Sequence, residues 1–156
     1  MTVLGQTERF VMRWHYSKFE KSRYTTICRT LSRNFCDSNQ NDMSYQRLKK
    51  MLATDEVVVI DVREPWELRE YGSIPGSVNV PLGQLNVALQ LNPEEFKERY
   101  GGDMPSHTES VVFTCLAGVR SKTAVDTAVS LGYSNVHHYA GGWQDWAKHE
   151  ILQTKD

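Results

Sequence analysis

The sequence predicts an α/β fold, a parallel sheet covered by helices on both faces. Two observations carry this expectation. Residues 57–62 and 111–115 are near-continuous apolar runs, the pattern of strands buried on both faces. Helix-like stretches of crossover length separate these runs from two further strand-like segments, residues 78–80 and 135–139.

Taken in order, Ser44 is placed to cap a helix ending near Leu52, with Leu48, Met51 and Leu52 turned inward. Residues 57–62 then form a strand interrupted in its apolar character only by Asp61. Gly72, Pro75, Gly76 and Pro81 punctuate a loop that carries the short strand 78–80. Residues 82–91 read as helical, and so do residues 93–100, where Pro93 suits a helix start and Gly101-Gly102 stop it. After the strand 111–115 comes a glycine-containing loop, then a helix over about 120–131. Its apolar face is Ala124, Ala128 and Leu131, with Val125 beside it and Gly132 closing it. A strand at 135–139 and a helix at 143–149 complete the pattern. In such sheets ligands bind at the carboxyl ends of strands, beside helix N-termini, and loop 115–120 has that position.

Composition bounds what this domain does. The chain has 156 residues, 40% of them hydrophobic and 24% charged, and only three cysteines. These values exclude a chain disordered throughout and a disulfide-stapled scaffold. No apolar run approaches the roughly 18 residues of a membrane helix, so stable membrane insertion is not expected. A net charge of -1 gives no reason to expect nucleic acid as a partner.

That net charge hides an asymmetry. Residues 1–41 carry seven basic and three acidic side chains, a balance of +4, while residues 42–156 stand at -5. The pattern is a basic arm, 1–41, followed by a single acidic domain, 42–156. On a helix, Tyr24, Ile27, Cys28, Leu31 and Phe35 share one face, with Thr26, Arg29 and Arg33 opposite. A basic amphipathic segment rich in Ser and Thr reads as a mitochondrial transit peptide, which points to the matrix. Arg33-Asn34-Phe35-Cys36 is similar to the sites where such segments are cut. Glu8 and Glu20 depart from that composition. The alternatives are a disordered basic tail on a cytoplasmic protein, or an extension packed on the domain. Cys28 and Cys36, spaced C-x7-C without a nearby histidine, do not form a zinc pattern.

The segment Cys115-Leu116-Ala117-Gly118-Val119-Arg120-Ser121 is where chemistry concentrates. A cysteine that ends a buried strand just before a helix has its sulfur over free backbone N–H groups. Those donors and the helix dipole favour an anion, a thiolate or a persulfide. Gly118 permits the backbone to curl where a side chain would obstruct the approach. Arg120 offers a forked cation to an oxyanion. The plainer alternative is a buried cysteine that merely packs; the glycine, the arginine and the helix start count against it.

With these residues in view, the sequence resembles the single-domain rhodanese family from about residue 44 to 150. The resemblance rests on an ordered set: Val59-Ile60-Asp61-Val62-Arg63, Glu67, Gly72-Ser73-Ile74-Pro75-Gly76-Ser77-Val78-Asn79-Val80-Pro81, the C-x-x-G-x-R loop, Leu131-Gly132-Tyr133 and Tyr139-Ala140-Gly141-Gly142-Trp143. It implies a central parallel sheet of about five strands and a sulfurtransferase with a two-step reaction. Cys115 would take a sulfane sulfur from thiosulfate or a persulfide and pass it to a thiol such as glutathione, or to cyanide. Leu116, Ala117, Gly118, Val119 and Arg120 would line the substrate site, with Asp61 and Arg63 supporting the loop or, alternatively, touching substrate. No metal or cofactor is implied. The partners would be small-molecule sulfur donors and thiol acceptors, and the protein would act as a monomer. Ser73 stands where many relatives carry histidine. Related phosphatases have C-x5-R; here Arg120 follows Cys115 after four residues, a loop that suits one sulfur atom better than a tetrahedral phosphate or arsenate.

Two other functions fit the same resemblance, a redox-sensing or regulatory binding module and a carrier that hands sulfur to one dedicated protein. The remaining conspicuous residues read plainly. His137 and His138 are neighbours on a strand and point to opposite faces, so they do not chelate one ion. His107 is not required as a base. Trp143 and Trp146 read as helix–sheet packing, Trp66 as a candidate pocket wall, and Glu94, Glu95 and Glu98 as a solvated helix face.

Overall fold

Residues 41–153 are described in a computed structural model of the chain. The import helix and cleavage site expected in the basic arm lie outside these residues. No helix among the described residues is long and apolar enough to cross a membrane.

Among the described residues five strands and six helices follow one another: β1 (Asp42–Met43), α1 (Tyr45–Ala53), β2 (Val58–Asp61), α2 (Pro65–Tyr71), β3 (Val78–Asn79), α3 (Leu82–Ala88), α4 (Pro93–Tyr100), β4 (Val111–Thr114), α5 (Val119–Ser130), β5 (Val136–Tyr139) and α6 (Gly142–Gln153). The sheet order is β1-β5-β4-β2-β3, with every pairing parallel. The central strand β4 pairs with β2 (Asp61 opposite Thr114) and with β5 (Phe113 opposite His138). The register brings the loops leaving β2, β4 and β5 together at one end of the sheet.

Local sequence accounts for several boundaries. The Ser44 side chain accepts the Arg47 N–H at the start of α1, and Asn92 Oδ1 accepts the Glu95 N–H at 2.8 Å before α4. Helix α4 starts at Pro93 and ends on Gly101, whose φ of 75° is left-handed.

Two elements were not expected. Helix α2 occupies part of the stretch read as loop. Its signals are Pro65 at the first helical position and Glu67, which accepts the Glu64 backbone N–H at 2.9 Å. Glu67 is the one buried residue in this helix, so no apolar stripe marks it. Strand β1 is two residues long and exists only because β5 pairs with it. The helix expected over 82–91 stops at Ala88, with Leu89 as its cap.

The strand pleat divides the core. Ile60, Val111 and Phe113 face one side with Leu85, Phe96 and Ala124, while Val59 and Val112 face the other with Leu48, Ile74, Tyr139 and Trp146. Helices α3, α4 and α5 cover the first face, and α1 and α6 the second. Phe113 is fully buried on the central strand. Phe113→Ala is therefore expected to cost about 3–5 kcal/mol, measured by urea unfolding of the full chain.

Candidate active site

Cys115 is the first residue beyond β4 and is 1% exposed. Gly118 donates its backbone N–H to Cys115 Sγ at 3.1 Å, a direct contact between the turn and the sulfur. Helix α5 begins at the next residue, Val119, one position earlier than expected.

The loop is clamped from the adjacent chain segment. Trp143 N–H donates to Cys115 O at 2.8 Å and Gln144 N–H to Leu116 O at 3.2 Å, so the first turn of α6 holds the loop by its carbonyls. Two glycines make this approach possible. Gly118 has φ +85°, and a Cβ there would lie 2.1 Å from Ala140 O; Gly142 has φ +60°, and a Cβ there would lie 2.5 Å from Cys115 O. The neighbour that a side chain at Gly118 would obstruct is the backbone of Ala140.

The remaining expected loop residues differ in placement. Leu116 is half-buried, Ala117 is exposed, and Val119 is 79% exposed. Leu116 also lines a cleft of about 600 Å³ with Tyr71, Trp143, Gln144, Ala147 and Lys148.

Arg120 is already engaged. Its Nη1 and Nη2 donate to the two carboxylate oxygens of Glu67 at 2.6 and 2.7 Å, the bidentate fork. This guanidinium holds the Glu67 carboxyl at about 2, against the partial opposition of burial, and Cys115 lies within reach of the Arg120 charge. Glu67 thus fixes the direction of the cation, a role the sequence reading did not assign to it.

Asp61 and Arg63 are fully buried. Arg63 Nε donates to both Asp61 oxygens at 3.0 Å, and Nη2 donates to Asp61 Oδ2 at 2.6 Å and to Gly72 O at 2.8 Å. Its Nη1 is buried without a hydrogen-bond partner, but the guanidinium lies 5.4 Å from the Trp143 ring centroid. Because Trp143 donates its N–H to Cys115 O, the Asp61–Arg63 pair reaches the loop through that tryptophan.

Three further residues stand behind the sulfur. The Cys115 thiol donates to Ser121 Oγ at 3.6 Å; Ser121 Oγ is 3.4 Å from His138 Nδ1; His138 Nε2 is 2.8 Å from Asp42 Oδ1. The histidine neighbours separate as the strand geometry requires, with His137 Nε2 3.1 Å from Asn135 Oδ1. Ser121 was legible only as the end of a C-x5-S spacing. The approach of His138 and Asp42 depends on sheet order, which leaves no local signal. Among the rest, His107 is exposed and stacks on Tyr133, Trp66 is 56% exposed, Trp146 is buried, and Ser73 is exposed. Glu94, Glu95 and Glu98 are exposed.

Residues 44–149 match the rhodanese-like domain family. Over 124 residues the chain is 48% identical to the mouse thiosulfate sulfurtransferase/rhodanese-like domain-containing protein 3, covering 80% of this chain and 78% of that one. It is 36% identical over 109 residues to the human thiosulfate:glutathione sulfurtransferase, covering 69% and 94% respectively. A third relative, the mitochondrial thiosulfate sulfurtransferase RDL2 of Saccharomyces cerevisiae, is 37% identical over 92 residues, covering 59% and 61%. The solved structure of the human single-domain sulfurtransferase TSTD1 superposes with a TM-score of 0.67 at 33% identity, covering 70% of this chain and 97% of that one.

The Glu67–Arg120 pair has a measurable signature. The folded state lowers the Glu67 carboxyl from 4.5 to about 2. Its stabilisation is therefore complete above about pH 4.5 and is lost as pH falls toward 2. Glu67→Gln is expected to cost roughly 2 kcal/mol at neutral pH and to flatten the acid dependence in that window, measured by urea unfolding at a series of pH values.

Proposed function

The chain belongs to the rhodanese-like domain family, and on that premise we propose that it is a thiosulfate sulfurtransferase working through a persulfide on Cys115. The observation that carries this reading is the 3.1 Å contact from the Gly118 N–H to Cys115 Sγ at the N-terminus of α5. A backbone donor aimed at sulfur favours its anionic forms, both thiolate and persulfide.

The chemistry is two displacements. Cys115 thiolate attacks the outer sulfur of thiosulfate; a new S–S bond forms, the old one breaks, and its electron pair leaves with sulfite. An acceptor thiolate then attacks the terminal sulfur of the Cys115 persulfide, leaving as its own persulfide and restoring the Cys115 thiolate. Glutathione is the acceptor favoured by the likeness to a thiosulfate:glutathione sulfurtransferase. Leu116, Ala117, Gly118 and Val119 form the lip of the site, and Arg120 presents its charge toward the sulfonate end of the donor. Asp61 and Arg63, both without exposed surface, support the loop and do not touch substrate.

The basic arm is proposed as an import segment that delivers the domain 42–156 to the mitochondrial matrix. Its +4 charge and the spacing of Tyr24, Ile27, Cys28, Leu31 and Phe35, which would share one face of a helix, support that destination.

Incubation with thiosulfate followed by intact mass analysis is expected to add one sulfur atom to the wild-type protein and none to Cys115→Ala. Glutathione should remove the added mass. Retained turnover in Cys115→Ala would sink the proposal. Arg120→Ala is expected to lower kcat/KM for thiosulfate by about tenfold or more, the loss of one charge-assisted contact of about 1.5–3 kcal/mol. Its effect on neutral persulfide donors should be smaller; equal losses on both would count against an oxyanion role.

A further inference from the structure

Cys115 is 1% exposed, so a proton on its sulfur does not pass freely to bulk water. The sulfur must nevertheless be anionic to attack a sulfane donor. Arg120, a cation within electrostatic reach, is paired with Glu67 through both terminal nitrogens and is permanently protonated, so it accepts no proton. The group placed to accept one is reached through the next residue, Ser121.

Ser121, the third residue of α5, lies between Cys115 and His138. The thiol donates to Ser121 Oγ at 3.6 Å, His138 Nδ1 is 3.4 Å from that oxygen, and Asp42 Oδ1 is 2.8 Å from His138 Nε2. Ser121 is fully buried and His138 nearly so, whereas the Asp42 side chain is 42% exposed. The chain of contacts thus runs from the enclosed sulfur to the outer edge of the sheet, because β1 is the edge strand and pairs with β5.

The geometry points to Ser121, His138 and Asp42 as a proton-accepting relay that generates the Cys115 thiolate. This inference rests on the proposed role of Cys115 as the sulfur-carrying nucleophile. An ionised Asp42 only accepts hydrogen bonds, so it fixes a proton on Nε2 and leaves the Nδ1 lone pair toward Ser121. Ser121 turns its hydroxyl from Gly118 O, which it meets at 2.9 Å, to Nδ1. The S–H bond breaks as its proton moves to Ser121 Oγ, while the original serine proton moves to Nδ1. The products are a thiolate, an intact hydroxyl and an imidazolium held by the Asp42 carboxylate; one negative and one positive charge form, and the net charge is unchanged. The serine then donates to the thiolate, beside the Gly118 N–H. His138 acts through Ser121 and is a positioning residue for the anion. The groups that meet its ring are Asp42 from β1 and Ser121 from α5; Arg120, with Glu67, acts on the sulfur from α5 and α2.

The test is the pH profile of Cys115 alkylation by iodoacetamide, read by mass on the peptide that contains it, in the full chain. Ser121→Ala and His138→Gln are expected to move the midpoint of the profile upward by about one pH unit, a roughly tenfold slower reaction on its acidic side. Asp42→Asn, at a half-exposed site, should shift it in the same direction and decides the matter if His138→Gln does not fold. Unchanged midpoints in Ser121→Ala and Asp42→Asn would overturn the relay. The thiosulfate mass shift separates the two ideas. Sulfur uptake with unchanged profiles removes the relay alone; shifted profiles without sulfur uptake remove the transferase reading.

Discussion

The site depends on the backbone clamp between the loop after β4 and the first turn of α6. Trp143 and Gln144 donate to the carbonyls of Cys115 and Leu116, satisfying acceptors that would otherwise point out of the sheet. With those carbonyls turned toward α6, the Gly118 N–H is left to face the sulfur. The clamp closes only because Gly118 and Gly142 carry no Cβ, which would lie 2.1 Å from Ala140 O and 2.5 Å from Cys115 O respectively. A small change at either glycine therefore acts on the direction of the Gly118 N–H as well as on packing.

Around this clamp the charges are consumed in pairs. Asp61 answers Arg63 within the core, and Glu67 answers Arg120 at the margin of the site. A buried guanidinium is costly without such a partner, and here each partner also sets an orientation. Arg63 lies against the Trp143 ring, while Glu67 points Arg120.

Much of this was legible because the informative residues lie close together in the chain. Cys115, Gly118 and Arg120 occupy one loop, and the apolar runs on both sides of it identify buried strands whose carboxyl ends must meet. Helix α4 could be read to the residue, since Pro93 and Gly101 mark its ends. Helix α2 was missed for a converse reason. It buries Glu67 rather than an apolar stripe, and its capping signals are shared with ordinary turns. Gly118 is legible as a position that excludes a side chain, but the neighbour it makes room for is not, because Ala140 lies 22 positions further along the chain.

By itself, then, the sequence determined the parallel α/β architecture, the family and the loop with its sulfur, all of which follow from short-range pattern. Tertiary structure alone decided which partners meet that loop. Glu67 reaches Arg120 across 53 residues, and Asp42 reaches His138 only when β1 joins the edge of the sheet beside β5. Such contacts are set by strand order and register, which bring distant side chains within hydrogen-bonding distance and leave no periodicity in the chain to announce them.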